Sequence, residues 1–347
     1  MESMTGVFLP GERRVELREV PIPTPGFGQV LVGIKASALC GSDLRAIYRP
    51  RDQGSGPEAY RGVIAGHEPA GVIVSAGPGV TRFAVGDRVL VYHIAGCGQC
   101  PDCRRGLMIS CTSPARAAYG WQRDGGHAPF MLAEERTLVP LPESLSFVDG
   151  ALVACGFGTA YAALVRAGVS GCDAVLVTGL GPVGLAAALL ARAFGARVLG
   201  SDTLPERRAL AESLGVEVLN RDGPDAVEQV RSLTGGQGVE VAIDASGNEQ
   251  ARRACLQAAR PWGRVVYVGE GGTAAFEPSP LLIHKQLSLY GSWVCSIGQM
   301  EELVELLVRW KLRPEVTVTH RFPVSAAREA YELFDTGRCG KVVLVNE

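Results

Sequence analysis

Several things are scarce in this 347-residue chain, and each scarcity removes a class of function. An excess of one charge is missing: 34 Lys+Arg against 36 Asp+Glu leave a formal net charge of −2. A basic face of the kind that binds nucleic acid or an anionic membrane is therefore not expected. Aromatic residues make up only 6% of the chain, too few to suggest stacking platforms for single-stranded nucleic acid. Met1–Arg14 has no apolar run of the secretory type, so the expected location is cytoplasmic. Repeats and low-complexity tracts are absent, and 47% hydrophobic residues argue against disorder. One uncharged stretch, Ala174–Ala191, reaches the length of a membrane helix. Its glycines (Gly179, Gly181, Gly184), Pro182 and β-branched start (Val175, Val177, Thr178) read instead as a buried strand, a turn and a buried helix.

What is present in quantity is glycine, 44 residues, and cysteine, 10 residues. Without a secretory signal a disulfide framework is a poor reading. Cys97, Cys100, Cys103 and Cys111 recur at short spacing on one loop, where four thiolates can enclose a tetrahedral Zn²⁺ and leave no open position. That makes a structural site; an iron–sulfur cluster would use a similar set, and four unrelated buried cysteines are the bland alternative. Cys172, Cys255, Cys295 and Cys339 are scattered and read as small buried residues.

Up to about residue 150 the chain reads as short strands with Gly/Pro punctuation, among them Gln29–Ser37, Gly71–Ala76 and Arg88–Tyr92. From there strands and helices alternate, which predicts a parallel sheet with helices on both faces. The expected strands are Ala174–Thr178, Arg197–Ser201, Glu217–Leu219, Val239–Asp244 and Arg264–Val268. After about residue 290 the alternation stops, and a strand is expected at Gly340–Val345. The fold class is α/β.

Gly179-Leu180-Gly181-Pro182-Val183-Gly184 follows a predicted strand and opens a predicted helix, the context a dinucleotide fingerprint requires. Gly179 makes the turn, Gly181 lets backbone approach a pyrophosphate, and Gly184 lets helix and strand pack closely. Asp202 closes the next strand, where a carboxylate would bind an adenosine ribose and repel a 2′-phosphate, favouring NAD over NADP. Arg207 and Arg208 just downstream keep NADP open, and a turn-capping Asp202 is the bland reading. Cys40, His67, Glu68 and Cys155 remain. Two thiolates and one imidazole would leave a fourth zinc position for water or substrate, and with Zn²⁺ their charges cancel. From spacing alone this grouping is weak, since a lone His67 is more often a core histidine.

The motifs taken in order change that weighting. The chain closely resembles the zinc-dependent medium-chain alcohol and polyol dehydrogenases. The stretch Gly66–Val80, GHEPAGVIVSAGPGV, fits that family's zinc signature, and CGSD at Cys40–Asp43, the four-cysteine lobe and GLGPVG all match in order. The resemblance covers essentially the whole chain. It implies a GroES-like β-rich catalytic domain over residues 1–153 with a C-terminal return over 291–347. A Rossmann NAD-binding domain over 154–290 would be inserted, with the active site in a cleft. It also implies a homodimer or homotetramer, through the sheet edge near Leu287–Trp293.

Residue by residue, the resemblance implies that Cys40, His67 and Cys155 bind a catalytic zinc. Glu68 would be a neighbouring carboxylate able to replace the bound water, and Asp43 would hold the outer nitrogen of His67. Ser42 would contact the substrate hydroxyl and begin a proton relay. Thr159, Val268 and the glycine turn would meet the cofactor, and Lys341 its phosphate. Relatives often carry a histidine where this chain has Arg45, which cannot shuttle a proton at neutral pH. His93 is a candidate for that task, though a packing role is the blander one; His127, His284 and His320 have no motif context.

The expected activity is zinc-dependent hydride transfer between a secondary alcohol (a polyol, sugar or cyclitol) and NAD, with two zinc ions per chain and a small-molecule partner. Cys155-Gly156-Phe157 resembles the simple alcohol dehydrogenases, whereas CGSD and the chain length resemble the polyol and threonine dehydrogenases. Threonine-type and simple alcohol oxidation are therefore the alternatives, and an inactive zinc- and cofactor-binding relative the distant one. Loops at Ala46–Tyr60, Ala118–Trp121 and Ser292–Ile297 are expected to help select the substrate.

Overall fold

The register of three strands decides where the chemistry sits. A computed structural model describes residues 2–50, 58–219 and 224–346; residues 51–57 of the expected specificity loop Ala46–Tyr60 lie outside them. Strand Gln29–Ala38 pairs antiparallel with Glu68–Ala76 on one side and with Lys341–Val345 on the other. Ala38 faces Glu68 across the first pair and Val343 across the second. Cys40, His67 and Lys341 therefore leave three adjacent strands at the same end, although 301 positions separate Cys40 from Lys341 in the chain. Val318–Pro323, Arg88–Val91 and Leu138–Pro140 extend this seven-stranded sheet, and Phe130–Glu134 also pairs with Gln29–Ala38. Inward residues such as Val30, Val32, Ile34, Ile73, Val89 and Val91 form its core. This alternation is what a half-buried antiparallel sheet needs.

An unexpected hairpin, Ser3–Gly11 with Arg14–Pro21, precedes the sheet. Its turn residues Glu12 and Arg13 have φ of 52° and 54°, a conformation usually announced by Asn-Gly. No such signal is written in the sequence at this turn.

The chain divides into two compact units, Met1–Gly158 with Cys295–Glu347, and Thr159–Val294. These borders fall at 158 and 294 where 153 and 290 were expected. The reason is local: Phe147–Leu152, a π-helical turn Val153–Phe157 and the helix Gly158–Ala167 follow one another without a linker. The run Phe147–Ala167 is 21 residues and apolar enough to cross a membrane, but 89% of its most apolar window is buried inside the protein.

The second unit has a six-stranded parallel sheet in the spatial order Glu217–Val218, Arg197–Ser201, Ala174–Thr178, Val239–Asp244, Ala259–Tyr267, Ser288–Gly291. Chain direction reverses its outward march between Ala174–Thr178 and Val239–Asp244, the switch point where open α/β sheets bind ligands. The helix Pro182–Ala193 starts there, with Gly181 at its N-cap and Pro182 at its first position. Proline suits that place because its missing N–H would have no helical partner.

Candidate active site

In the first unit the ligand atoms of Cys40, His67, Glu68 and Cys155 lie within 4.8 Å of one another. Cys40 precedes the short helix Gly41–Asp43, His67 precedes strand Glu68–Ala76, and Cys155 sits in the π-helical turn. Asp43 Oδ1 accepts a hydrogen bond from His67 Nδ1 at 3.0 Å. That fixes the tautomer and turns the Nε2 lone pair toward the other donors. Ser42 Oγ donates to Cys40 Sγ at 3.2 Å.

The electrostatics of this cluster are those of donors gathered around a cation. Hydrogen bonding from Cys155 draws the Cys40 thiol well below its ordinary value, while Cys155 is driven well above its own. Burial opposes a charged His67, yet Asp43 and Cys40 outweigh it and raise that imidazole. Burial pushes Glu68 up to about 8 against the pull of Lys341. Glu68 Oε2 lies 2.5 Å from Lys341 Nζ, whereas its Oε1 is buried and has no hydrogen-bond partner. Two thiols, one imidazole and an orphaned carboxylate oxygen, all buried, suit a tetrahedral dication of zinc's ligand preference.

The second cluster is the cysteine lobe. The Sγ atoms of Cys97, Cys100, Cys103 and Cys111 also lie within 4.8 Å of one another. Backbone amides already point at them: Cys97 N donates to Cys111 Sγ, Cys100 N to Cys97 Sγ and Cys103 N to Cys100 Sγ, at 3.4–3.5 Å. Amides of Gln99 and Cys100 lower Cys97 to about 6, while burial lifts Cys103 to about 12. Four thiols this close cannot all ionise without a cation to share, and this set fits a closed zinc site.

Lys341 has a partner that the resemblance did not name. Its ammonium is buried, pairs with Glu68 and donates to Leu39 O at 2.6 Å. Inside the sheet it serves Glu68. His93 is buried and bonded to the backbone. Burial, helped by His67, pushes it down to about 3, and its Nδ1 donates to Ala154 O at 3.0 Å. His127, left without a role, is a buried tie between Ser37 Oγ (2.8 Å) and Tyr331 Oη (3.1 Å). Arg45 is half-buried in the π-helical turn Leu44–Tyr48.

In the second unit the glycine turn is as tight as the fingerprint requires. Gly179 has φ +85°, and a Cβ on Gly184 would stand 1.7 Å from Gly179 O. Asp202 Oδ2 accepts from Leu180 N at 2.7 Å and Oδ1 from Leu204 N at 2.9 Å, so this carboxylate shapes the turn itself. Arg207 lies 3.5 Å from Asp202 Oδ2 and beside Gly181. Val183 is the second residue of the helix; Val268, just after strand Ala259–Tyr267, and Thr159, in the helix Gly158–Ala167, are both buried. Sequence reasoning missed Asp244. It is fully buried and holds Ser246, Gly247 and Arg252, shaping the loop at the switch point. It also missed Trp121, whose indole Nε1 donates to Asp43 Oδ1 at 3.0 Å.

One β-rich unit carrying two metal-fitting clusters and a second unit with a dinucleotide-type sheet define a class, and comparison with known families agrees. Residues 26–143 match the alcohol dehydrogenase GroES-like domain and residues 182–309 the zinc-binding dehydrogenase family. The chain belongs to the zinc-dependent medium-chain alcohol dehydrogenases and is an oxidoreductase of that family. It is 51% identical to the zinc-type alcohol dehydrogenase-like protein YphC of Escherichia coli, over 99% of both chains. It is 34% identical to L-threonine 3-dehydrogenase of Pyrococcus horikoshii, covering 95% of this chain and 94% of that one. Sorbitol dehydrogenase of Halalkalibacterium halodurans is 31% identical, over 96% of each. Among solved structures, alcohol dehydrogenase TADH from Thermus sp. ATN1 superimposes with a TM-score of 0.89 at 31% identity, covering 99% of each chain. Acetophenone reductase from Geotrichum candidum in complex with NAD gives 0.85 at 26%, covering 100% of this chain and 98% of that one.

Proposed function

We propose that this chain oxidises a secondary alcohol on a polyol, sugar or cyclitol, with NAD as hydride acceptor and a zinc ion held by Cys40, His67 and Cys155. The observation that carries the reading is the convergence of those three donors with Glu68. Zinc in that set would act as a Lewis acid that makes the substrate hydroxyl easier to deprotonate. NAD would supply the redox chemistry, and Asp202 beside the glycine turn supports it over NADP.

The residues have separable tasks. Asp43 holds His67 in the ligating tautomer. Lys341 restrains Glu68 at the edge of the donor set. Ser42, next to Cys40, takes the substrate hydroxyl proton and hands it on. Arg45 stays charged and cannot carry that proton further, so it leaves by water or cofactor hydroxyls. The polyhydroxylated class is supported by likeness to sorbitol dehydrogenase; the 34% identity to a threonine 3-dehydrogenase supports threonine as the second reading. The exposed edge strand Ser288–Gly291, with Trp293 and Ile283 also exposed, supports a homodimer or homotetramer formed along that edge.

Reduction of NAD⁺ and NADP⁺ by the purified protein, across alcohols, polyols, sugars, cyclitols and threonine, tests the proposal. A chelator-sensitive rate with NAD⁺ on one polyhydroxylated class is expected. A rate confined to threonine selects the second reading, and silence across the panel with zinc bound refutes both.

A further inference from the structure

The segment 117–127 supplies none of the four donors, yet it is built onto the backbone that delivers His67. Gly125 N donates to Ile64 O at 2.8 Å, His127 N to Ala65 O at 2.9 Å and Gly126 N to Gly66 O at 2.7 Å. Asp124 Oδ1 accepts from Ile64 N at 2.9 Å. The approach is too close for side chains. A Cβ on Gly120 would stand 2.8 Å from the Gly66 carbonyl carbon, and one on Gly125 would stand 2.2 Å from Gly66 O. Three consecutive residues leading to His67, Ile64, Ala65 and Gly66, are thus clamped from one direction.

Trp121 completes the clamp from the side-chain end. Its indole N–H and His67 Nδ1 meet the same oxygen, Asp43 Oδ1, each at 3.0 Å. Asp43 is fully buried, and its Oδ2 has no hydrogen-bond partner. The terminal torsion of an aspartate is broad and roughly two-fold, so one donor leaves the carboxylate free to offer either oxygen. Two donors on one oxygen select one orientation, and with it one orientation of the imidazole.

We propose that Trp121 is a positioning residue for the metal site: through Asp43 it sets the ring of His67. The inference rests on the reading of Cys40, His67 and Cys155 as zinc ligands. Partners of this kind, one bond removed from a ligand, change metal retention by roughly 10–100-fold when lost. Trp121→Phe keeps an aromatic ring and deletes the donor. Replacing the indole with its benzothiophene isostere deletes the donor and keeps the shape.

The test uses full-length zinc-loaded protein. Zinc release to a chromogenic chelator is followed in wild type and both variants, together with the visible absorption of the cobalt-substituted protein. Wild type is expected to release zinc in two phases, one from the cysteine lobe and one from the His67 site. In the variants one phase speeds roughly 10–100-fold, the lobe phase is unchanged, and the cobalt bands shift. A role in packing alone would leave the isostere's cobalt spectrum at wild type. Wild-type release kinetics and cobalt spectrum in the isostere overturn the inference, and the isostere decides if Trp121→Phe does not fold. Wild-type protein that binds zinc only at the lobe overturns the proposed function and this inference with it.

Discussion

Replacing Lys341 with Met isolates the buried pair under the active site. Lys341 Nζ lies 2.5 Å from Glu68 Oε2, with side-chain exposures of 3% and 0%. Burial alone would lower the lysine below its ordinary value, but Glu68 outweighs burial and raises it above that value. Removing one partner of a buried pair costs about 3–5 kcal/mol when the other stays charged. Glu68 is already pushed up to about 8 and can escape by taking a proton, which favours the lower end, about 3 kcal/mol. Leu39 O also loses its donor. In a unit of about 210 residues, 3 kcal/mol corresponds to a melting point lower by about 7 °C. Glu68→Gln removes the charge that needs a partner, so the double variant should recover most of the loss. Calorimetry of the metal-free wild type, both single variants and the double variant at neutral pH closes the cycle. A Lys341→Met protein that melts within about 1 °C of wild type, or a double variant no better than the single, would refute the coupling.

Other substitutions probe separate parts of the molecule. Gly184→Ala places a methyl 1.7 Å from Gly179 O, so the turn must open; NADH fluorescence titration should show affinity at least about tenfold weaker, and unchanged affinity would argue against the turn as the cofactor site. Cys100→Ser should halve the zinc content by elemental analysis and lower the melting point, while two ions retained would sink the closed-lobe reading. Arg13 and Arg49 overcome the effect of burial and hold Asp335 below its ordinary value of 3.8. Its contribution is therefore complete above 3.8 and lost as pH falls through the lowered value. Acid unfolding of Asp335→Asn should lack that component; identical acid curves would remove Asp335 from the account.

The second unit was legible almost strand by strand. Ala174–Thr178, Arg197–Ser201 and Val239–Asp244 have the expected ends, because parallel strands buried on both faces read as apolar runs bounded by glycine and charge. The hairpin Ser3–Pro21 was not legible, since Glu12-Arg13 is not a turn signal. In the site, Cys40, His67, Glu68 and Cys155 were readable only through the motifs around them; their spacings of 27 and 87 residues acquire meaning when the strand register brings them together. The pairing of Lys341 with Glu68 was not legible for the same reason. Glu68 is two strands away and nothing in Gly340-Lys341-Val342 points to it. The role of Trp121 was invisible because it acts through one hydrogen bond to a residue 78 positions away, and that of Asp244 because its bonds shape a loop that no motif marks.

Zinc K-edge X-ray absorption of the wild-type protein, with zinc counted per chain, tests the central claim most directly. Two zinc ions should be found, one in four sulfurs and one in two sulfurs with nitrogen and oxygen, averaging about three sulfurs per zinc. A single zinc in a purely four-sulfur environment would contradict it, because Cys40, His67 and Cys155 would then hold no metal.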